Sequence, residues 1–507
     1  MQIVTIDEMR KAEATAFSEY GVSSLMMMEN AAQGFCDALE KEYGGVEGKS
    51  VCVFCGGGNN GGDGYAIARL LSLRGAKPFV VTKKDREFLS GDARTNAVLT
   101  EQFGIPISSS CPADGSYDIA VDSIYGIGFH GALSEMDRQM TECINRAPYV
   151  AAVDMPSGAN AQNGSVSESC VRANLTVTFG RAKLGQFLYP AKEQIGKLVV
   201  VPISVPNQVW DELGTRHSVL TDAVFDLLPL RAMNSHKGSY GKVLALGGSK
   251  GMCGAAVLSA EAVLRSGAGM ATLAVPNVIS EIAMKKLTEV MVLPLKSEGE
   301  TVSSEAFLPL KEKLDTQDVL LMGCGLGRGY GVEQLVQKLA QESEKPMVID
   351  ADGINAIAQN IDILKQKKAA AVLTPHPVEY SRLIGKDPKE WYGERVSIAR
   401  KFAMEYQLCL VLKGADSLIA TPDGRVLVNP VSNSGMATAG SGDVLAGVIA
   451  GLIAQGASAE NAACIGVYLH ALAGQIAKEQ FGEYAMTAGD VLRALPEALK
   501  KAALKKE

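Results

Sequence analysis

Histidine is scarce: five residues in 507, scattered along the chain. Zinc sites need His and Cys at close, repeated spacings, and none is present. No apolar run approaches the length that crosses a bilayer. The opening, MQIVTIDEMRKAEATAF, carries a charge every few residues and has no signal-peptide core. There is no basic excess either. Lys and Arg number 49 against 56 Asp and Glu, a formal net charge of -7. Nucleic-acid binders usually show a basic stripe, so that class is excluded, and no membrane role is expected. The ten cysteines follow no small-domain disulfide pattern, which predicts reduced thiols and a cytoplasmic protein. A Ser–His–Asp set with a recognisable elbow is also missing. The chemistry has to come from backbone groups, carboxylates and lysines.

Glycine is what the chain has in quantity: 53 residues, clustered at strand ends rather than at a repeat period. That distribution points to ligand sites built from backbone. The length suggests roughly two to four domains at ~150 residues each. Short apolar runs alternate with helical stretches, which predicts parallel sheets covered on both faces. In the first half, strands are expected at Ser50–Cys55, Lys77–Thr82, Ile119–Asp122, Tyr149–Asp154 and Leu175–Phe179. Helices are expected at Thr5–Phe17, Leu25–Tyr43, Tyr65–Arg74, Asp92–Phe103 and Leu133–Asn145. A second series starts with strand Lys242–Leu246 and helix Ala255–Ser266. Strands follow at Met270–Ala274, Val319–Met322, Pro346–Asp350, Ala370–Leu373 and Leu408–Lys413, then helices from Thr438 and Ala462. The halves are not copies, and the division is placed at 1–217 and 218–507.

In the first half, GGGNNGGDG (Gly56–Gly64) follows a strand directly. Its spacing is not that of the dinucleotide fingerprint, and Asn59, Asn60 and Asp63 supply side chains that a plain turn does not need. Two more strand ends carry acids. Asp122 precedes Gly126, Gly128 and Gly131, and Asp154 precedes Pro156, Ser157 and Gly158. Each Asp alone is also what a helix cap needs, but three such ends on one sheet edge suggest a site. Asn60, Asp122 and Ser157 offer oxygens to a hard monovalent cation. Asp154 is a candidate general acid or base, with Lys183 as proton donor or electrostatic partner.

In the second half the strongest signal is NSGMATAGSGDVLAG (Asn433–Gly447). Small residues at a helix start expose N–H groups that suit a transferring phosphoryl group. Asp443 is placed to take a proton from an attacking hydroxyl. Lys413 ends a strand and opens Lys413, Gly414, Ala415, Asp416 and Ser417, a candidate phosphate cradle. PDGRVLVNP (Pro422–Pro430) predicts a hairpin beside it. His376, between prolines in LTPHPVE, is a candidate substrate contact, and Glu379 a candidate to order water around magnesium. Gly247–Ala256, Arg265–Gly269, Gly323–Gly327 and Asp350–Asn355 add backbone-rich ends, with Asp350 or Asp352 expected to support His376. Two patterns are discounted. Cys52 and Cys55 form a CxxC, but in a strand they point to opposite faces. Met26–Met28 is flexible apolar filling on a helix.

The LMMMENAA helix (Leu25–Ala32), GGGNNGGDG, VDSIYGIGFHG and AVDMPSG resemble the NAD(P)H-hydrate epimerase family. HKGSYGKVLALGGS, LTPHPVE and AGSGDVLAG resemble the ADP/ATP-dependent NAD(P)H-hydrate dehydratases, a branch of the ribokinase-like kinases. The resemblance implies an α/β protein: a Rossmann-like three-layer sandwich followed by a ribokinase-like α/β domain. It implies epimerisation of the R and S hydrates of NADH and NADPH at C6. It also implies dehydration of the S form with ADP (ATP possible), releasing AMP and phosphate. Substrate would touch Asn59, Asn60, Gly61, Gly62 and Asp63, then Gly126, Ile127, Gly128, Phe129, His130, Gly131 and Ala132, and Asp154. Potassium would sit by Asn60, Asp122 and Ser157. Lys413–Ser417 and Gly442 would hold the nucleotide, with magnesium. Ala268, Gly325, His376 and Asp443 would meet the second substrate, with Asp443 as base. A homo-oligomer, tetramer or octamer, is expected. Two departures stand out: Ile127 where threonine is usual, and Cys324 where proline is common, the latter expected to alter loop stiffness rather than chemistry. The alternatives are a small-molecule kinase fused to a dinucleotide-binding domain, and a dinucleotide-binding scaffold without chemistry.

Overall fold

The computed structural model describes residues 1–112 and 117–504. The chain divides into two compact units, Gln2–His217, and Ser218 onward together with Met1.

The first unit is built on a parallel sheet. Its strands are β1 (Ser50–Cys55), β2 (Lys77–Thr82), β3 (Ile107–Ser108), β4 (Ile119–Ser123), β5 (Tyr149–Val153), β6 (Leu175–Phe179) and β7 (Lys197–Val201). Their order is β3-β2-β1-β4-β5-β6-β7, all parallel. β1 and its neighbours are apolar on both sides because helices cover both faces. Val51, Val53 and Cys55 pack with helix residues Phe35, Leu39 and Ile67. Cys52 and Phe54 pack on the other side with Met140 and Ile144. The CxxC pair is therefore split between two cores, as strand alternation requires, and burial pushes both thiols well up.

One expectation fails in an instructive way. The helix after β1 starts at Asn59, not Tyr65, and runs to Leu73, so NNGGDG is helical. Glycine disfavours helix, but packing overrides the preference. A Cβ on Gly61 would lie 2.0 Å from the Gly56 carbonyl oxygen, and one on Gly62 2.8 Å from Met28 Cε. Similarly, the expected helix at Leu133 begins at Glu135, where Ser134 and Asp137 form a capping box.

The second unit has strands β8 (His217–Val219), β9 (Lys242–Leu246), β10 (Met270–Pro276), β11 (Met291–Leu295), β12 (Ser297–Glu298), β13 (Thr301–Val302), β14 (Val319–Met322), β15 (Met347–Ile349), β16 (Ala371–Leu373), β17 (Cys409–Leu412), β18 (Leu418–Ala420) and β19 (Val426–Val428). The main sheet runs β11-β10-β9-β14-β15-β16-β17-β18-β19-β8, with β12 and β13 as a separate pair. β11 to β17 are parallel. β17, β18 and β19 are antiparallel, the last two forming the expected hairpin.

Two helices pack across this sheet, Cys253–Arg265 and Ser441–Ala454. The second starts three residues later than Thr438. Where they cross, glycine lets backbones meet. A Cβ on Gly447 would lie 2.1 Å from the Ser259 carbonyl oxygen, and one on Gly451 2.0 Å from Ser266 Oγ. Gly447→Ala is therefore expected to destabilise this unit by about 1–3 kcal/mol through overpacking. Scanning calorimetry checks this: an unchanged melting temperature would rule out backbone contact at the crossing.

Candidate functional sites

In the first unit, β2 and β4 lead away from β1 in opposite directions, so the sheet reverses its order at β1/β4. Open parallel sheets bind ligands at such a point, outside the carboxyl ends of the strands. The turns after β1 and β4 are in backbone contact there: a Cβ on Gly56 would sit 2.0 Å from the Ile124 carbonyl oxygen. Above them is a cavity of 690 Å³. Asn59, Asn60, Asp63, Gly126, Ile127, Gly128, Asp154 and Lys183 line it.

The remaining residues expected there lie outside the lining. Gly61 and Gly62 are buried within the helix. Phe129 is buried with its ring 5.4 Å from that of Tyr125. His130 is exposed and turned back, its Nδ1 2.9 Å from the Gly128 carbonyl oxygen. Gly131 and Ala132 are exposed beyond it.

Asp154 is the centre of the cavity's polar groups. Its φ is 66°, the left-handed region that few side chains occupy. Lys183 Nζ donates to its Oδ1 at 2.5 Å, and Thr178 Oγ1 donates to the same oxygen at 2.9 Å. Lys183 is 1% exposed, and its other bonds go to Thr178 Oγ1 and the Phe179 carbonyl. A Cβ on Gly126 would fall 2.8 Å from Asn60 Oδ1 and 3.1 Å from Asp154 Oδ2, so the three residues converge. Asn60 Nδ2 is buried there without a hydrogen-bond partner.

Asp122 is fully buried behind this point. It accepts from Ser157 N at 2.7 Å, Ser157 Oγ at 2.6 Å and Ile124 N at 3.3 Å. Burial nevertheless pushes its carboxyl up to about 6, against those bonds. The donor set of Asn60, Asp122 and Ser157 is all oxygen around a buried acid lacking a counter-charge, and it fits a hard cation.

Four cationic or acidic residues in the lining were not expected: Arg10, Glu13, Lys83 and Lys84. The helix Ile6–Tyr20 buries Met9, Ala12 and Ala16. Position 13 belongs to the same i, i+3, i+4, i+7 stripe, so a glutamate there was a readable anomaly.

In the second unit, functional groups collect at the carboxyl edge of β14 to β17. Helix Ser441–Ala454 starts at Gly440, whose φ is 90° and which gives no side-chain cap. In its first turn Ser441 N donates to the Thr438 carbonyl at 3.4 Å and Val444 N to the Gly440 carbonyl at 3.1 Å, while Gly442 N and Asp443 N have no partner among the described residues. Asp443 lies within that turn. Its carboxylate, that of Asp350 and the Cys324 thiol lie within 4.8 Å of one another. Burial, then the negative charge of Asp350, push Asp443 up to about 6, while Cys324 and Lys413 oppose the rise. Lys413 Nζ donates to Asp350 Oδ1 at 2.7 Å, and a Cβ on Gly442 would come 2.9 Å from that ammonium. Asp350 and Glu379 hold Lys413 charged against burial. His470 was not singled out from sequence. It is buried 3.5 Å from Ser441 Oγ and pushed down to about 4, hence neutral.

Several expected roles change. His376 caps helix Pro377–Ile384: its Nδ1 accepts from Val378 N at 3.1 Å, and Glu379 Oε2 accepts from His376 N at 2.8 Å. Burial and nearby Lys413 lower His376, whose Nε2 lies 3.3 Å from Glu379 Oε1. Glu379 also closes the cap from its own side. Asp350 acts on His376 through its charge, not through a hydrogen bond. Asp350 pairs with Lys413, and Asp352 accepts from Gly327 N at 2.9 Å.

Of Lys413–Ser417, Gly414 and Ala415 are exposed, and Ser417 Oγ closes the turn by accepting from Gly414 N at 3.2 Å. Asp416 turns inward to Arg395 at 2.6 Å, both buried. Gly325, with φ 62°, lies at the active edge, where its Cβ would be 2.9 Å from that of Ala255. Ala268 does not join it. It sits in the turn entering β10, at the amino edge, whereas Ala255 opens helix Cys253–Arg265 at the carboxyl edge. Cys324 also differs from expectation, since its thiol faces Asp443 and Asp350.

These arrangements define the chain as an α/β protein with two candidate sites. One is a cavity at the switch point of a doubly wound sheet; the other is a helix start carrying an acid beside a lysine. Residues 24–185 match the family described as YjeF-related protein N-terminus, and residues 243–497 match the NAD(P)H-hydrate dehydratase family. A bifunctional NAD(P)H-hydrate repair enzyme of Moorella thermoacetica is 41% identical over 99% of this chain and 97% of its own. One from Escherichia coli is 30% identical, covering 96% and 92%. A solved ribokinase-like superfamily protein of Enterococcus faecalis is 27% identical, covering 57% of this chain and 97% of its own, with a TM-score of 0.50. The chain belongs to the family of bifunctional NAD(P)H-hydrate repair enzymes.

Nine of the ten cysteines are buried and Cys111 is half-buried. Burial raises the Cys324 thiol, and Asp443 and Asp350 raise it further. A disulfide reagent on the native protein is expected to label about one thiol, with Cys111→Ser removing the signal. Rapid labelling of Cys324 would contradict its burial.

Proposed function

We propose that the chain repairs hydrated NADH and NADPH, with an epimerase in residues 1–217 and an ADP-dependent dehydratase in residues 218–507. The observation that carries this reading is Asp443 in the open first turn of helix Ser441–Ala454, beside Lys413. The first-turn N–H groups and Lys413 hold the terminal phosphoryl group of the nucleotide, with Gly442 giving it room. Gly414 and Ala415 offer backbone to the other phosphates. Asp443 takes the proton of the C6 hydroxyl as that oxygen attacks phosphorus. Phosphate then leaves C6 while a neighbouring ring carbon gives up a proton, restoring the reduced ring. His376 and the Gly325 loop orient the substrate.

Magnesium suits this site as an ion carried on the nucleotide phosphates, where it would neutralise charge. Asp350 and Glu379 are already engaged by Lys413 and His376. In the first unit, potassium would be held by Asn60, Asp122 and Ser157, fixing the loops that flank the cavity. Asp154, held by Lys183, exchanges protons at the C6 oxygen. No helix among the described residues is long and apolar enough to cross a membrane. A cytoplasmic homo-oligomer fits the reading.

The test supplies separated S and R hydrates with ADP or ATP, magnesium and potassium, and follows reduced-nicotinamide absorbance and free phosphate. Recovery from S is expected with ADP ahead of ATP, and Asp443→Asn should lower it by about 10²–10⁴-fold. Recovery from R should depend on Asp154. The S reaction should also fall as pH drops through about 6, because the Asp443 carboxyl, raised to that value, is then protonated and cannot act as base. A stable phosphorylated product without free phosphate would point to a kinase instead.

A further inference from the structure

Inverting a hydroxyl-bearing carbon takes two proton transfers, one to the departing oxygen and one from the arriving one. Asp154 accounts for one of them. A second carboxyl in the same cavity is Glu13, which no part of the preceding mechanism uses. It stands on a different element from Asp154, in the helix Ile6–Tyr20.

That helix is fixed to the catalytic segment. Val4 N donates to the Ala182 carbonyl at 2.9 Å and Leu184 N donates to the Val4 carbonyl at 2.9 Å, so the chain just before the helix brackets Lys183. Thr5 and Glu8 then close a capping box. The position of Glu13 relative to Lys183 is therefore set by backbone bonds. The two carboxyls also differ in their surroundings. Asp154 is met by Lys183 and Thr178, whereas among the described residues no hydrogen bond or ion pair engages Glu13. An acid on a buried helix stripe without a structural partner is available for a ligand.

We propose that Glu13 is the proton donor to the departing C6 oxygen in the epimerase reaction, acting opposite Asp154. This rests on the epimerase reading of the cavity. Glu13 gives its proton to the C6 hydroxyl. The C–O bond breaks, and water leaves with its electrons. The lone pair of the ring nitrogen forms a C=N bond to C6. Water adds to the opposite face, the C=N electrons return to nitrogen, and the Asp154 carboxylate takes the proton released. Nothing is oxidised or reduced. One proton has passed from Glu13 to Asp154, and exchange with solvent resets both.

The charges around Glu13 agree with these roles. Burial raises its carboxyl and the charge of Asp154 raises it further, while Lys183 and Arg10 oppose the rise. Asp63, from the helix after β1, is pushed well up by burial and by Asp154 and Glu13. Lys83 and Lys84 reach the cavity from the end of β2. A raised carboxyl on Glu13 suits the acid of the pair.

The experiment follows R-to-S interconversion by the full chain without nucleotide, so that dehydration is idle, against a blank without enzyme. Glu13→Gln is expected to lower kcat about 100-fold or more, with KM and melting temperature close to wild type. Glu13→Asp should keep part of the activity. The wild-type rate should decline on the alkaline side as Glu13 loses its proton, and that limb should vanish from the residual rate of Glu13→Gln. Epimerisation by Glu13→Gln within threefold of wild type overturns the proposal. Failure of the underlying reading looks different: the wild-type chain itself would then do no better than the blank.

Discussion

A carboxylate removed from water has to be met by a cation, by hydrogen bonds or by a proton. Both units are organised by that constraint at the carboxyl edge of a parallel sheet. Asp154 is met by Lys183, Asp122 by Ser157 and backbone N–H, and Asp350 by Lys413. Asp443 and Glu13 are left without a cationic partner in contact, and both are raised. Asp122 and Asp350 are fully engaged by their partners, whereas Asp154 keeps Lys183 and Thr178 on one carboxylate oxygen, Oδ1.

The two sites reach this end with different tools. The first uses strand-end side chains around a cavity and places one acid on a helix outside the sheet. The second uses a helix start, where glycine exposes N–H groups and a neighbouring lysine supplies charge. The close crossing at Gly447 and Gly451 fixes the height of that helix start above the sheet. Packing at the far side of the helix therefore sets where the first turn with Asp443 lies.

Much of this was legible in the residues. Strands such as Leu175–Phe179 and Val319–Met322 are apolar runs stopped by glycine, and the structure ends them where the sequence does. Helix starts were harder. NNGGDG looks like a turn by propensity, and only the contacts of Gly61 and Gly62 make it helical. Ala268 shows another limit. RSGAG has the composition of a ligand loop, but it follows a helix and precedes a strand, so it lies at the amino edge. Its glycine answers to packing, since a Cβ on Gly269 would lie 1.7 Å from the Lys237 carbonyl oxygen. Glu13 differs: its place on an apolar stripe was a readable anomaly, but only the fold puts it in one cavity with Lys183.

The left-handed backbone at Asp154 narrows what can replace it. Asparagine and glycine enter that region with little strain, while glutamate, the replacement that would keep an acid, enters it at a cost. The substitutions that fit the backbone best are thus the ones that remove the carboxylate. A descendant carrying one would fold less well than its parent, because the Lys183 ammonium, 1% exposed, loses its carboxylate. Return to activity would need the original residue rather than an approximation to it.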